Sequence, residues 1–330
     1  MDILNYILGG FATPLLSLFN PHFGLSIPYL LSSLVVVMVV YVAFRRRARR
    51  NIVRFLHYAF PARLLLHSSA LLDYRYYFIN GLVRVFIYGS LIVGGEVWSR
   101  VSIAGLTGIF GPGAQSATAS YAVAALVTVT FVVAFDLAYW FNHWLLHRFA
   151  FLWEFHKVHH SAEVLNPFTA FRSHPVEDLM AFNMISLATG VSYGVLVYVF
   201  GAGAQEFSLL QMNIVMLVYY LTIFHLRHTH VWLPVRGALA YVIQSPAHHQ
   251  IHHSVEAQHA GKNLGFSLSL WDWIFGTLFI PEHECRLRFG IGKEGQEFNS
   301  VARLYAFPFV QIARSIGRKL NVLQSSPPPA

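Results

Sequence analysis

Cysteine is nearly absent from this 330-residue chain, where Cys285 stands alone. A single thiol excludes an intrachain disulfide framework, a cysteine-rich zinc site and an iron–sulfur cluster. Charge is scarce too. Asp, Glu, Lys and Arg make up 12% of the residues, against about 25% in soluble domains, which points to an integral membrane protein. Acidic residues are the scarcer sign: 15 Asp and Glu face 23 Lys and Arg, for a net charge of +8. That excess does not imply nucleic acid. The clearest basic run, Arg45 to Arg50, directly follows an apolar stretch, which is how a membrane protein marks its cytoplasmic side. There is no Gly-rich dinucleotide fingerprint and no HExxH motif. The start, Met1 to Asn20, lacks a positive n-region and a small-residue cleavage site, so it reads as an interfacial segment and not as a signal peptide.

What the chain has in quantity is apolar sequence, 55% of the total. A helix needs about 20 apolar residues to cross a bilayer. Ser26 to Phe44, Gly81 to Trp98, Ala117 to Phe141, Leu179 to Phe200 and Ser208 to Phe224 are the candidate spans. Asn51 to Asn80 mixes arginines and histidines with leucines and reads as an amphipathic helix on the cytoplasmic surface. Gly105 to Ser116, with four glycines and Pro112, reads as an outer loop. The implied fold is an all-α integral membrane protein: about four to five transmembrane helices form a stem, and a histidine-rich helical cap lies in the cytosol. The expected divisions are a membrane region at 1–116, a catalytic region at 117–281 and a cytosolic C-terminal segment at 282–330. In that last segment, Ser300 to Leu320 is an amphipathic helix that either lies on anionic lipid or packs on the cap. Gln324 to Ala330 is a Pro/Ser tail with the composition of a disordered segment.

The other abundant residue is histidine. Fourteen of the 18 lie between His143 and His259. His143 and His147 are spaced i,i+4. His156, His159 and His160 are spaced i,i+3,i+4, and His249, His252 and His253 repeat that spacing. Residues three and four apart share one face of a helix, so each block is expected to aim its imidazoles at a common point. The topology read from hydropathy and arginines places all three blocks on the cytoplasmic side. Buried imidazoles need partners, and imidazole is the commonest transition-metal ligand. Eight of them exceed the four that a tetrahedral zinc requires and imply two metals. With no thiolates, the set suits iron, or zinc as a substitute. Two irons beside a bilayer point to activation of dioxygen for attack on an unactivated C–H bond of a lipid.

These residues resemble the fatty acid hydroxylase/sterol desaturase superfamily. The resemblance is carried by Asp136-Leu-Ala-Tyr139-Trp140-Phe-Asn-His143 with His147, and by Trp153-Glu-Phe155-His156-Lys-Val-His159-His160-Ser161. It continues through Arg172-Ser-His174-Pro175-Val-Glu177 and Ser245-Pro246-Ala-His-His249-Gln-Ile-His252-His253-Ser254, and ends in Asn263-Leu-Gly265 with Trp271-Asp272-Trp-Ile-Phe275-Gly276-Thr277. One position departs: Trp144 follows His143 where many members have arginine. The resemblance implies a membrane-bound, all-histidine di-iron oxygenase with a helical stem and a cytosolic cap. It adds two ligands by position, His174 and His228. His225 and His230 are the alternatives to His228, and His248 and His259 are candidates to support the ligands.

Ligating imidazoles commonly donate their second N–H to a carboxylate or carbonyl, for which Asp136, Glu177, Glu163 and Asp272 are the candidates. Tyr139, Trp140, Phe141 and Trp144 either wall a lipid tunnel or pack helices. The expected activity is hydroxylation or desaturation of a lipid (sterol, fatty acyl chain, alkyl ether or carotenoid) with O2. No side chain apart from the metal ligands is needed for the chemistry. Electrons come from an external ferredoxin or cytochrome b5-like donor. Two rival readings are a zinc-dependent membrane hydrolase, which normally carries HExxH, and a metal-binding or transport protein, which needs polar residues through its spans.

Overall fold

In a computed structural model of the protein, residues 12–20, 22, 24–44, 51–114 and 120–325 are described. Most of the first segment, the arginine run 45–50 and most of the Pro/Ser tail lie outside them. Helix α1 (Ile27–Phe44) is followed by α2 (Ile52–Ala59), α3 (Ala62–Leu65), α4 (Ser68–Leu91) and α5 (Gly95–Phe110). Next come α6 (Tyr121–Arg148), α7 (Ala150–His160) and α8 (Pro175–Phe200). A two-residue hairpin of β1 (Ser208–Leu209) and β2 (Met212–Asn213) then leads into α9 (Ile214–Thr222). The cap is completed by α10 (Pro246–His252) and α11 (Leu270–Ile274), and α12 (Val301–Ser325) closes the chain.

Two helices among the described residues, Tyr121–Arg148 and Pro175–Gly203, are long and apolar enough to cross a membrane. Ile27–Ala43 and Ile214–His228 are shorter apolar helices. The expected surface helix at Asn51–Asn80 is not continuous. It breaks at Phe60–Pro61, because proline pushes its predecessor out of the helical region. Nor is Gly81 to Trp98 one helix. α4 ends at Leu91 and α5 starts at Gly95. The break is stitched by Asn183 of α8, whose amide accepts from Val93 N at 3.0 Å and donates to the Leu91 carbonyl at 3.2 Å. Backbone groups freed inside an apolar layer need such a partner. The expected outer loop starts later than Gly105: α5 runs to Phe110 and stops at Gly111, whose φ of 82° suits glycine.

The stem is held by small residues. Gly95 of α5 faces Gly190 of α8, and Ser99 faces Gly194. A Cβ on Gly194 would meet the Ser99 carbonyl at 2.6 Å, and one on Gly190 would overlap the Gly95 carbonyl. Close backbone approach through small residues is how helices associate in lipid. On its other side α8 packs antiparallel to α6, where Val123 and Val127 meet Leu196, Val197 and Phe200. This fold brings the C-terminal end of α6 and the N-terminal end of α8 to one side of the stem.

The cap grows from that end. Phe149 leaves helical geometry at the end of α6, and α7 restarts at Ala150. α7 buries Leu152, Phe155, His156, His159 and His160, a continuous face at i, i+3, i+4, i+7 and i+8. A buried ion pair anchors it. Arg172 donates to Asp73 of α4 at 2.9 Å and to the Val158 carbonyl at 2.9 Å, and both charged side chains are fully enclosed. The first half of α12 packs on the cap: Leu304 and Phe307 lie against Tyr76, Val158 and Phe298.

Candidate metal centre

Nine histidines converge in two groups, and within each group the ligand atoms all lie within 4.8 Å of one another. The first comprises His143, His147, His156, His160 and His252; the second comprises His159, His228, His249 and His253. The sequence blocks are not the groups. Within each HxxHH block the i,i+4 pair stays together, and the i+3 histidine crosses to the other group. His156 and His160 join the first group while His159 joins the second. His249 and His253 join the second while His252 joins the first. The cause is helical rotation of about 100° per residue. Positions i and i+4 differ by about 40°, while i+3 swings about 60° the other way.

Hydrogen bonds fix the ring tautomers. His143 Nδ1–H donates to the Leu264 carbonyl at 2.8 Å, His252 Nδ1–H to the Lys262 carbonyl at 2.8 Å, and His156 Nδ1–H to Glu177 at 2.9 Å. Each neutral imidazole carries one proton, so each Nε2 is left as a bare lone pair. Yet His143 Nε2 lies 3.0 Å from His156 Nε2, with no proton to share between them. The Nε2 atoms of His147 and His252 are buried without a hydrogen-bond partner. Two nitrogens bound at ~2.1 Å to one ion, at about a right angle, sit about 3.0 Å apart. The arrangement therefore fits a cation that the five lone pairs share. In the second group the Nε2 atoms of His228, His249 and His253 form a triangle with sides of 2.9, 3.1 and 3.2 Å, and His159 Nε2 is 3.3 Å from His228.

Burial supports the same state. It pushes His159 down to about 3 and His252 down to about 4, assisted for His159 by neighbouring positive charges. Both rings are neutral at physiological pH, as ligation requires. Arg227 is fully buried beside the second group. Its guanidinium lies 2.8 Å from His249 Nδ1, and it donates to Tyr219 Oη at 3.1 Å and to the Phe266 carbonyl at 3.1 Å. Sequence reasoning passed over it, although it is the residue directly before His228.

Of the ten histidines expected as ligands, His174 stands apart from both groups. It caps α8, its Nδ1 accepting from Val176 N at 3.1 Å, and its Nε2–H donates to the Tyr305 carbonyl at 3.1 Å. His228 lies in the second group, and neither His225 nor His230 does. His230 bonds the Tyr58 carbonyl, His248 closes the first turn of α10, and His259 packs on Phe279.

Among the expected carboxylates, Glu177 alone touches a histidine of either group. Asp136 instead accepts from the backbone N–H groups of Phe266, Ser267 and Leu268, and from the Ser267 hydroxyl. Asp272 accepts from Leu264 N, Gly265 N, Trp140 Nε1 and Thr277 Oγ1. Together they hold the 264–268 loop, which presents the Leu264 carbonyl to His143. Glu163 lies 4.0 Å from His67, half exposed. Trp140 stacks on Phe275 at 4.4 Å, which is packing between elements.

Residues 128–277, which hold all nine histidines, match the fatty acid hydroxylase family. Similar proteins include the alkylglycerol monooxygenase of Caenorhabditis elegans, 26% identical over 50% of this chain and 30% of its own length. The human alkylglycerol monooxygenase is 30% identical over 45% of this chain and 29% of its own length. Ornithine lipid hydroxylase OlsE of Rhizobium tropici is 29% identical over 59% of this chain and 54% of its own length. The chain thus spans less than half the length of these alkylglycerol monooxygenases. No solved structure matches. The matched relatives carry the names of oxygen-inserting lipid enzymes, and the family segment contains both histidine groups, all of the second long apolar helix and the first from Thr128 onward.

Proposed function

We propose that this protein is a membrane-bound, O2-dependent lipid hydroxylase whose nine clustered histidines hold two irons. The observation that carries the reading is the pair of Nε2 lone pairs, His143 and His156, that face each other at 3.0 Å with both Nδ1 protons committed elsewhere. Five imidazoles in one group exceed a tetrahedral zinc shell and suit a higher-coordinate metal such as iron. When bound, the irons supply activation of dioxygen for attack on a C–H bond.

The chain's own residues do the rest. Glu177 and the Leu264 and Lys262 carbonyls orient the rings. Phe266, Tyr139, Tyr219 and Phe224 pack as an aromatic layer on the stem side of the histidines, with the Tyr139 ring 5.6 Å from His143. Arg227 adds a buried positive charge beside the second group. Hydroxylation is favoured over desaturation by the names of the matched relatives, which also favour ether-linked or amino-acid-containing lipids as the substrate class. The stem crosses the membrane several times, with the cap on the cytoplasmic side beyond the Arg45–Arg50 run. An external ferredoxin or cytochrome b5-like protein supplies the electrons.

The test is metal content per chain together with the lipid profile of expressing cells. Wild-type protein is expected to hold two irons and to yield lipids heavier by one oxygen. His159→Ala is expected to lose one iron and the product. A single zinc per chain, or an unchanged lipid profile with full iron and reductant, would overturn the reading.

A further inference from the structure

The cap carries a compact apolar face that nothing among the described residues covers. Leu239, Tyr241 and Val242 are 59%, 42% and 44% exposed, and Trp273, Ile274 and Phe275 are 56%, 54% and 53% exposed. The two segments are one surface. The Tyr241 and Trp273 rings lie 5.7 Å apart, Ser269 N donates to the Val242 carbonyl at 3.0 Å, and Ile243 bridges Leu268. Six adjacent large apolar side chains on a cap facing only water would be an association liability.

The depth of this face in the molecule identifies what covers it. α11 is fixed against α6 at Trp140, through the Phe275 stack and the bond from Trp140 Nε1 to Asp272. α6 begins at Tyr121. A hydrocarbon layer of ~30 Å takes up about 20 helical residues, so counted from Tyr121 it ends close to Trp140. α11 therefore sits at the level where acyl chains meet headgroups. The face is also continuous with the outward side of α6, where Leu137 and Phe141 are 36% and 42% exposed. Its composition suits that depth: Trp and Tyr prefer the membrane interface. Basic groups rim it, with Arg236 exposed at one edge and Lys262 bonded to the Gly276 carbonyl at the other.

We propose that the face formed by Leu239, Tyr241, Val242, Trp273, Ile274 and Phe275 inserts into the bilayer and seats the cap in the headgroup boundary. The proposal rests on the membrane reading given under Proposed function. It gives the surface a consequence for the site. Asp272, at the root of α11, holds the Leu264 and Gly265 amides, and the Leu264 carbonyl orients His143. Lys262, at the rim, offers its carbonyl to His252. The lipid-embedded face and the first histidine group are thus parts of one hydrogen-bonded unit.

The experiment places an environment-sensitive fluorophore on single cysteines in a Cys285→Ser background of the full chain. The protein is reconstituted in phosphatidylcholine–phosphatidylglycerol vesicles. Ile274→Cys and Leu239→Cys probe the two segments, Val129→Cys on the exposed side of α6 is the lipid reference, and Cys285 in the unaltered chain is the water reference. The expected result is that labels at 274 and 239 show blue-shifted emission, are quenched by nitroxide-bearing lipid about as strongly as the label at 129, and are shielded from iodide. Quenching of 274 and 239 by iodide, with 129 lipid-buried, would overturn the insertion surface and leave the membrane reading standing. Protection from both quenchers would overturn it in favour of a protein partner or a second copy. Iodide quenching at 129 would overturn the membrane reading itself.

Discussion

Glu177 Oε1 lies 2.9 Å from His156 Nδ1, and this one contact turns His156 Nε2 toward the other imidazoles of the first group. With the proton held on Nδ1, Nε2 is the free donor atom. Second-partner losses of this kind cost roughly 10–100-fold in metal affinity. Glu177→Ala is therefore expected to weaken the five-histidine group by about that factor and leave the four-histidine group intact. Chelator competition, followed as stepwise metal release, checks it. Equal weakening of both steps would show that Glu177 supports the fold and not one group.

Adjacent residues serving different groups give a second expectation. His252→Ala should remove one metal and His253→Ala the other, each leaving about one per chain. His160→Ala combined with His252→Ala should be no worse than His252→Ala alone, because both act on one group. The double change at 252 and 253 should empty the protein. Metal analysis of the four variants is sufficient, and additive loss in the 160/252 pair would contradict the grouping.

His174 is expected to behave as a structural residue. His174→Ala removes the cap of α8, worth ~0.5–2 kcal/mol, and a second hydrogen bond worth about 1 kcal/mol. The variant should keep both metals and lose thermal stability, and His174→Asn should recover the capping part. Loss of a metal from a folded His174→Asn protein would make His174 a ligand after all.

The α5–α8 contact predicts a contrast between two glycines. Gly190→Leu drives a side chain into the Gly95 backbone, whereas Gly105→Ala on α5 meets nothing within 4 Å. The first should sharply reduce the yield of monodisperse protein in detergent. The second should be neutral or slightly favourable, since alanine favours helix by about 1 kcal/mol over glycine. Size-exclusion profiles separate the two, and a normal profile for Gly190→Leu would show that the helices are not held by close approach.

The sequence by itself marked the residues that cluster. Imidazoles at helical spacing, one cysteine and few carboxylates made metal ligation the expectation for His143, His147, His156, His159, His160, His249, His252 and His253, and the structure brings these rings into two groups that could hold metal. It also marked α6 and α8 as long apolar helices, since length and hydropathy are local properties. Tertiary structure decided the allocation. Which histidine joins which group depends on how α7 and α10 are rotated against each other, and no single block encodes that. The same holds for Asp136 and Asp272: sequence places one on the helix of His143 and the other in the Trp271–Thr277 run, and shows nothing of what either bonds. Three backbone N–H groups from a loop about 130 residues away claim Asp136, and two from that same loop claim Asp272, because buried amides in an apolar surround take the nearest acceptor. His174 and Arg227 show the two directions of this limit. One carries a motif and is used as a helix cap, while the other carries no motif and lies against His249 of the second group.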